Sequence, residues 1–473
     1  MGQTPSTPFE TCLGAALPKG AISLPSDPFY DLNAVKRFNT AIESTPVAVV
    51  RPSTAQEVSK SVLCAVEHGI KVQARSGGHS YANYCLGGKN GALVVDMVNF
   101  QKFEMDRNTW QATIGAGTLL GDVSERLHES GGRAMAHGTC PSVGFGGHAT
   151  IGGLGPSSRQ WGAALDHILE AEVVLANGTI VRTNERQHPE VLWAVKGAAA
   201  SFGVVTEFVV RTQPEPQEVT QYTFNVNLGS KAKMANTFKA WQKLIADPKL
   251  SRKFASQVTI FELGMMIRGT FFGSEKEFKE LGFEEKLAVN ATSKSIVLDD
   301  WLGAVGNWFE TEIVKLVGGA TGPFYSKSLA FTPQTLIPDA AIDELFQYMD
   351  KTDKGTLIWT VIFDLEAGAI NDVAPGATAY GHRDTLFYVQ TYAFGIGALP
   401  QSSRNFLTGI NDIITKSLPN QRLGAYAGYV DPALGENGQQ AYWGTNLPRL
   451  QTIKKAIDPN DVFHNPQSVR PAA

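Results

Sequence analysis

The sequence predicts an α+β fold with two main units: an N-terminal one of alternating strands and helices, and a second built on a large sheet with covering helices. Three observations predict it. Short apolar runs alternate with helical periodicity between residues 46 and 214. The proline-containing stretch 212–217 then interrupts the pattern. Beyond it, longer strand-like runs follow, together with strongly amphipathic helices.

In chain order, residues 46–50 (Pro-Val-Ala-Val-Val) read as a short apolar strand stopped by Pro52. Ser53 or Thr54 can cap the next helix, with Gln56 or Glu57 closing a capping box. Val58, Val62 and Val66 recur at helical spacing up to Gly69. Residues 70–74 form the next strand and run straight into a glycine turn. The runs 171–176 and 179–182, joined at Asn177-Gly178, predict a hairpin with a type I′ turn. After residue 217, Tyr222, Phe224 and Val226 alternate as a strand does, and Met234, Phe238, Trp241 and Ile245 share a helical face. Further strand-like runs lie at 257–263, 356–365 and 386–393. A last helix runs through Leu447, Leu450, Ile453 and Ile457. These boundaries suggest units at 1–214, 215–420 and 421–473.

Composition excludes several classes. The 473 residues carry a net charge of −4, so neither nucleic acid nor anionic lipid is a general partner. No apolar run reaches the roughly 18 residues of a membrane span. The four cysteines form no CxxC pair, and no metal site is expected. The first residues lack the charged and apolar blocks of a secretory signal, which leaves a cytosolic protein or one whose signal has been removed. Sequons at Asn177 and Asn290 favour the second.

Two glycine-rich motifs carry chemistry. The first is Arg75-Ser76-Gly77-Gly78-His79-Ser80-Tyr81, directly after a strand. Successive backbone N–H groups of such a turn can cradle a pyrophosphate, and the two serines add hydroxyls. The spacing is neither GxGxxG nor a P-loop. The second runs from His137-Gly138-Thr139-Cys140-Pro141-Ser142-Val143-Gly144 through Gly147, His148 and Gly153. Taken singly, each motif is equally a structural turn, His79 a loop histidine and Cys140 a buried thiol.

Taken together, the motifs resemble the berberine-bridge-enzyme-like bicovalent FAD oxidases of the vanillyl-alcohol-oxidase superfamily. The fungal gluco-, xylo- and chito-oligosaccharide oxidases are the most similar group. The resemblance extends to Leu165-Asp166, to residues 202–208, to Asn446-Leu447-Pro448-Arg449-Leu450 and to the terminal 463–468. It implies a PCMH-type FAD-binding domain of two α/β subdomains, a substrate domain with a large antiparallel sheet, and a C-terminal segment returning to the first. It also implies FAD held covalently by His79 and Cys140, with Arg75, Ser76, Gly77, Gly78, Ser80, Thr139, Val143, Gly144, Gly147, His148, Gly153, Val205 and Asn465 around the cofactor.

The implied reaction oxidises the anomeric hydroxyl of an oligosaccharide to a lactone, with O2 reduced to hydrogen peroxide. By the family pattern Tyr429 is the base and Asp364 its carboxylate partner, with Asp431 a rival. Without the resemblance, a core tyrosine and a surface aspartate are the plainer readings. Tyr81, Thr139, Gln390, Tyr426 and Arg268 are the candidate sugar contacts. Related enzymes carry a W-x-Q-x-D-like strand, where this chain has Thr360, Ile362 and Asp364. Small Val143 favours an oxidase over a dehydrogenase. Cys12 and Cys64 match the family disulfide, consistent with secretion, and Cys85 has no role. A monomer is expected. The alternatives are an oxidase or dehydrogenase of an alkaloid or polyketide alcohol, and a non-catalytic glycan-binding protein.

Overall fold

The computed structural model describes residues 6–287, 291–310 and 321–473; the sequon at Asn290 lies outside the described residues. Four strands come first: β1 (Ile22–Ser23), β2 (Ala48–Val50), β3 (Val72–Arg75) and β4 (Leu93–Asp96), in the order β1-β2-β4-β3. β2 and β3 both pair with β4 in parallel. β2 and β4 are buried along their whole length, both faces being covered, which is why no alternation marks them in the sequence. The helix Ala55–Glu67 makes the crossover, and Thr54 caps it by accepting the Glu57 N–H at 3.2 Å. The Glu57 carboxylate takes the Ser53 N–H at 2.6 Å, so the reciprocal half of the box reaches one residue further back. A Cys12–Cys64 disulfide, Cα–Cα 5.8 Å, ties this helix to Pro8–Ala16.

Seven strands follow: β5 (Phe103–Asp106), β6 (Gln111–Gly115), β7 (Arg133–Ala134), β8 (Ile168–Val174), β9 (Ile180–Thr183), β10 (Val204–Arg211) and β11 (Gln213–Pro214). They build a five-stranded antiparallel sheet, β5-β6-β10-β8-β9, and a short β7-β11 ladder. The β8–β9 hairpin forms as expected, but its turn is not type I′. Only Gly178 has positive φ, at 77°. Its N–H bonds the Leu175 carbonyl at 2.9 Å, and Leu175 N–H bonds Thr179 at 2.9 Å. That is a type I turn closed by a left-handed glycine, the three-residue solution.

The second large element is a seven-stranded antiparallel sheet of β12 (Val219–Val226), β13 (Gln257–Phe261), β14 (Gly264–Phe271), β15 (Ser293–Asp299), β16 (Phe324–Phe331), β17 (Ile358–Leu365) and β18 (Phe387–Phe394), in the order β15-β12-β14-β13-β17-β18-β16. The strand period of two sorts its residues. Val258, Ile267, Phe363 and Val389 point to one face and pack with Phe238 and Trp241 of the helix Ala235–Ile245 and with Ile342 and Phe346 of Asp339–Lys351. Gln257, Arg268, Asp364 and Gln390 alternate with them and point to the other face, towards a cavity.

The chain end returns to the first sheets. The helix Leu447–Ile457 carries Lys454, whose ammonium is fully buried and binds Asp458 at 2.6 Å, the Ser201 carbonyl at 2.6 Å and the Phe463 carbonyl at 2.9 Å. Phe463 bridges to Val72 of β3. No described helix is long and apolar enough to cross a membrane, and no cluster of metal-ligating side chains occurs among the described residues.

Candidate active site

A cavity of ≈ 730 Å³ lies between the glycine loops and the polar face of the large sheet. Its first wall depends on two glycines. A Cβ on Gly77 would stand 2.3 Å from the Gly144 nitrogen, and a Cβ on Gly144 would stand 2.0 Å from the Gly77 nitrogen. The two loops therefore meet backbone to backbone, which only residues without side chains permit. This contact brings His79 and Cys140 to one cavity. The Ser142 hydroxyl lies 3.1 Å from His79 Nε2 and 3.4 Å from Cys140 Sγ, and Phe38 packs on the His79 ring with centroids 4.7 Å apart.

Most of the expected cofactor residues line this wall: Ser76, Gly77, Gly78, Ser80, Thr139, Val143, Gly144, Gly147, His148, Val205 and Asn465. Arg75 and Gly153 do not. The Arg75 guanidinium pairs with Asp96 at 2.6 Å and donates to the Val35 carbonyl at 2.6 Å, so it fastens β3 to its neighbours. Gly153, at φ 78°, packs under Ala164 and gives its N–H to the Tyr426 hydroxyl at 2.9 Å. The serine hydroxyls also serve the loop: Ser76 donates to the Ala116 carbonyl at 2.6 Å, and Ser80 accepts the Tyr84 N–H at 2.9 Å. His148 Nε2 accepts the Gly138 N–H at 2.9 Å, and burial pushes the imidazole down to about 3, so it stays neutral. The half-buried Cys85 also lines the cavity, and burial raises its thiol.

The opposite wall joins Tyr429 to Asp364, the phenol donating to Asp364 Oδ2 at 3.2 Å. Asp431 is elsewhere engaged: it pairs with Lys327 at 2.7 Å and accepts the Ala433 N–H at 2.9 Å. Burial raises the Tyr429 phenol well above its usual value, and the adjacent Asp364 carboxylate adds to the rise. Burial also raises the Asp364 acid, against the Gln257 hydrogen bond, Arg268 and Tyr429, which favour its charge. Gln257 reaches Asp364 from the adjacent strand with its amide nitrogen, and its amide oxygen accepts from Arg268 Nε at 2.9 Å. Burial brings the Arg268 guanidinium down to about 10. Arg268 thus braces the carboxylate through Gln257.

Gln390 donates to the Tyr81 hydroxyl at 3.0 Å, and the Tyr81 ring lies nearly parallel to that of Tyr429, 6.4 Å away. Sequence reasoning missed Gln257, Ser142 and Glu366, all in or beside this cavity. Ser142 and Glu366 stand two residues from Cys140 and Asp364; Gln257 is visible only once β13 is paired with β17.

Comparison with known proteins places this geometry. A family model described as an FAD binding domain matches residues 46–184, and one described as berberine and berberine like matches residues 425–470. The chain is 39% identical to the FAD-linked oxidoreductase sorD of Penicillium rubens, over 98% of both proteins. The structure of a xylooligosaccharide oxidase from Myceliophthora thermophila C1, in complex with xylobiose, superposes with a TM-score of 0.89 at 31% identity, covering 98% of this chain and 99% of that one. A glucooligosaccharide oxidase from Acremonium strictum, described with a 6-S-cysteinyl, 8α-N1-histidyl FAD, superposes with a TM-score of 0.88 at 29% identity over 98% of this chain and 99% of that one. Glycine loops, tyrosine–aspartate pair and whole-length likeness agree: the chain belongs to the berberine-bridge-enzyme-like FAD-linked oxidoreductases and has their PCMH-type FAD-binding fold.

Proposed function

We propose that the protein is a secreted FAD-dependent oxidase that converts the anomeric hydroxyl of reducing-end oligosaccharides to the lactone. The observation that carries it is the Tyr429–Asp364 hydrogen bond inside a cavity whose other walls hold His79 and Cys140. In this reading residues 1–214 bind the FAD, residues 215–420 supply the substrate sheet, and residues 421–473, which carry Tyr426 and Tyr429, return to the FAD unit.

The residues present fit FAD. The paired glycine loops leave bare backbone facing a cavity large enough for a ring system. His79 and Cys140 supply the imidazole and thiol that two covalent attachments need. Bound there, FAD would supply a two-electron acceptor for the substrate that O2 can reoxidise with release of hydrogen peroxide.

The chain's own residues do the proton work. Tyr429 takes the proton of the substrate hydroxyl and passes its own to Asp364, since its raised phenol is not ionised beforehand. Gln257 and Arg268 hold the carboxylate in place to receive it. Tyr81, Thr139, Gln390 and Tyr426 orient the sugar, and Gln221, Thr223 and Asn307 also line the cavity. Val143 leaves room for oxygen. The Cys12–Cys64 disulfide and the exposed Asn177 sequon suit an extracellular protein, active as a monomer.

A second reading is favoured by Ile362, which lines the cavity opposite Gln390 where related enzymes offer a polar residue. An aliphatic floor suits an alcohol of secondary metabolism, and the likeness to sorD fits it equally well.

Hydrogen peroxide release from cello-, xylo-, malto- and chito-oligosaccharides, against anaerobic flavin bleaching by aromatic alcohols, separates the two. Peroxide from a sugar supports the first; silence with every sugar and bleaching by an aromatic alcohol replaces it with the second. Yellow colour and flavin fluorescence should stay with acid-precipitated protein, and His79→Ala or Cys140→Ala should each leave one bond. Colour lost completely in either single variant would count against two linkages.

A further inference from the structure

The cavity wall holds a carboxyl that this chemistry leaves unused. Glu366 is 5% exposed, lines the cavity, and its Oε2 atom is buried without a hydrogen-bond partner. The cation beside it does not satisfy it. Arg159 donates through Nη1 to the Glu366 backbone carbonyl and through Nε to the Phe254 carbonyl at 2.7 Å. Glu366 stands one residue past the end of β17, where its N–H still bonds the Leu386 carbonyl at 2.8 Å, and it lines the cavity together with Asp364 two residues before it. The backbone then turns at once: Ala367 holds φ 66° and ψ −150°, a conformation open chiefly to glycine. Gly368 follows so close to Arg159 that a Cβ would stand 2.4 Å from its carbonyl oxygen. The chain is thus constrained to leave Glu366 at the wall.

A buried carboxylate without a partner neutralises itself. Burial, and after it the Asp364 charge, holds the Glu366 acid well above the usual carboxylate range, with Arg159 opposing. The other groups facing it are phenols: Tyr380 and Tyr388, hydrogen-bonded to each other at 2.7 Å, and Tyr426 and Tyr429 from the C-terminal segment. A neutral carboxylic acid offers a donor and an acceptor side by side. Native proteins rarely leave a buried carboxyl oxygen such as Oε2 unmet unless a ligand or an ordered water meets it.

We infer that Glu366 is a ligand-binding residue that grips the polar edge of the molecule lodged in the cavity, through one donated and one accepted hydrogen bond. The matching ligand chemistry is a neutral donor next to an acceptor. Vicinal hydroxyls of a substrate supply it, and so does an imide-like edge of the ring cofactor. The inference rests on the FAD-oxidase reading and adds a contact to it.

The test compares Glu366→Leu and Glu366→Gln in the flavin-containing protein. Two readouts are taken: binding of xylobiose or a benzylic alcohol in anaerobic titrations, and the resting flavin spectrum and potential without substrate. If the substrate supplies the edge, Glu366→Leu weakens binding about tenfold or more and Glu366→Gln restores most of it. If the cofactor supplies it, the Leu variant shifts the spectrum and potential, and the Gln variant returns them. Glu366→Leu with both readouts at wild-type values overturns the inference. Should the Leu variant fail to fold, the pH dependence of Glu366→Gln decides. The wild type loses ligand affinity as rising pH ionises the acid; the amide should abolish that limb, and a limb retained overturns the inference. A colourless wild type overturns the FAD reading together with this one, whereas a yellow wild type with an indifferent Leu variant overturns this one alone.

Discussion

Replacing Asp364 by Asn should slow flavin reduction by roughly 10³-fold while leaving substrate binding within about threefold. The magnitude follows from the geometry. The Tyr429 phenol donates to Asp364 Oδ2 at 3.2 Å and is buried, so its ionisation is harder than in water. Even an unperturbed phenol, with a pKa of about 10, is ionised in only about one molecule per thousand at pH 7. A carboxylate that receives the phenol proton as the substrate proton leaves removes that handicap, and asparagine cannot receive it. Gln257 still has an amide oxygen to hydrogen-bond at position 364, so the strand pairing is kept. The assay is anaerobic stopped-flow bleaching of the flavin, with Tyr429→Phe in parallel at roughly 10²–10⁴-fold. Because the two residues act as one unit, the double variant should fall no more than about threefold below Tyr429→Phe alone. Asp364→Asn within about tenfold of wild type, or fully additive losses in the double variant, would refute the relay.

Other expectations concern assembly and stability. Gly77→Ala places a methyl 2.3 Å from the Gly144 nitrogen and should part the two loops, giving protein with little bound flavin; a normal ratio of visible to ultraviolet absorbance would disprove the backbone contact as the organiser of the site. Cys12→Ser opens a cross-link spanning 52 residues and should cost at most about 4 kcal/mol by chain entropy, read from denaturant midpoints; an unchanged midpoint would show that the bridge adds nothing. His167 is fully buried and its imidazole is pushed down by burial to about 4. Its folded value lies below its unfolded one, so the unfolded chain binds a proton that the native protein refuses as pH falls from about 6.5 towards 4. Stability should fall across that window by up to about 1.4 kcal/mol per unit from this residue, and His167→Gln should flatten the slope; an unaltered slope would assign it elsewhere.

The sequence was legible where a physical rule acts locally. One of the two capping candidates, Thr54, most of the strand run at 257–263, which ends at Phe261, and the helical face through Phe238, Trp241 and Ile245 all follow from nearest neighbours. β14, β15 and β16 escaped notice. β14 mixes glycines and an arginine facing the cavity with its core residues, and β15 is an edge strand with exposed Val297 and Leu298, so neither shows a plain apolar alternation. The turn at Asn177-Gly178 was misjudged because the same dipeptide serves two- and three-residue loops, and the register of β8 on β9 decides between them. In the site, the motif glycines announced the cofactor wall, but Arg75 belongs to Asp96. The Gln257–Asp364 contact depends on strand order, which no local pattern carries.

Tyr429 packs among the side chains of the N-terminal core, whereas its partner Asp364 rides on a strand whose far side closes a separate core. One hydrogen bond is thus shared between two bodies of packed side chains, and it survives only while they stay docked. The proposed attachment residues, His79 and Cys140, belong to the loops of the N-terminal unit. Inactivation and decolourisation should therefore be uncoupled: on warming, turnover should stop when the two bodies first shift apart, whereas a flavin joined to the chain by two covalent bonds stays with it even after the N-terminal body comes undone.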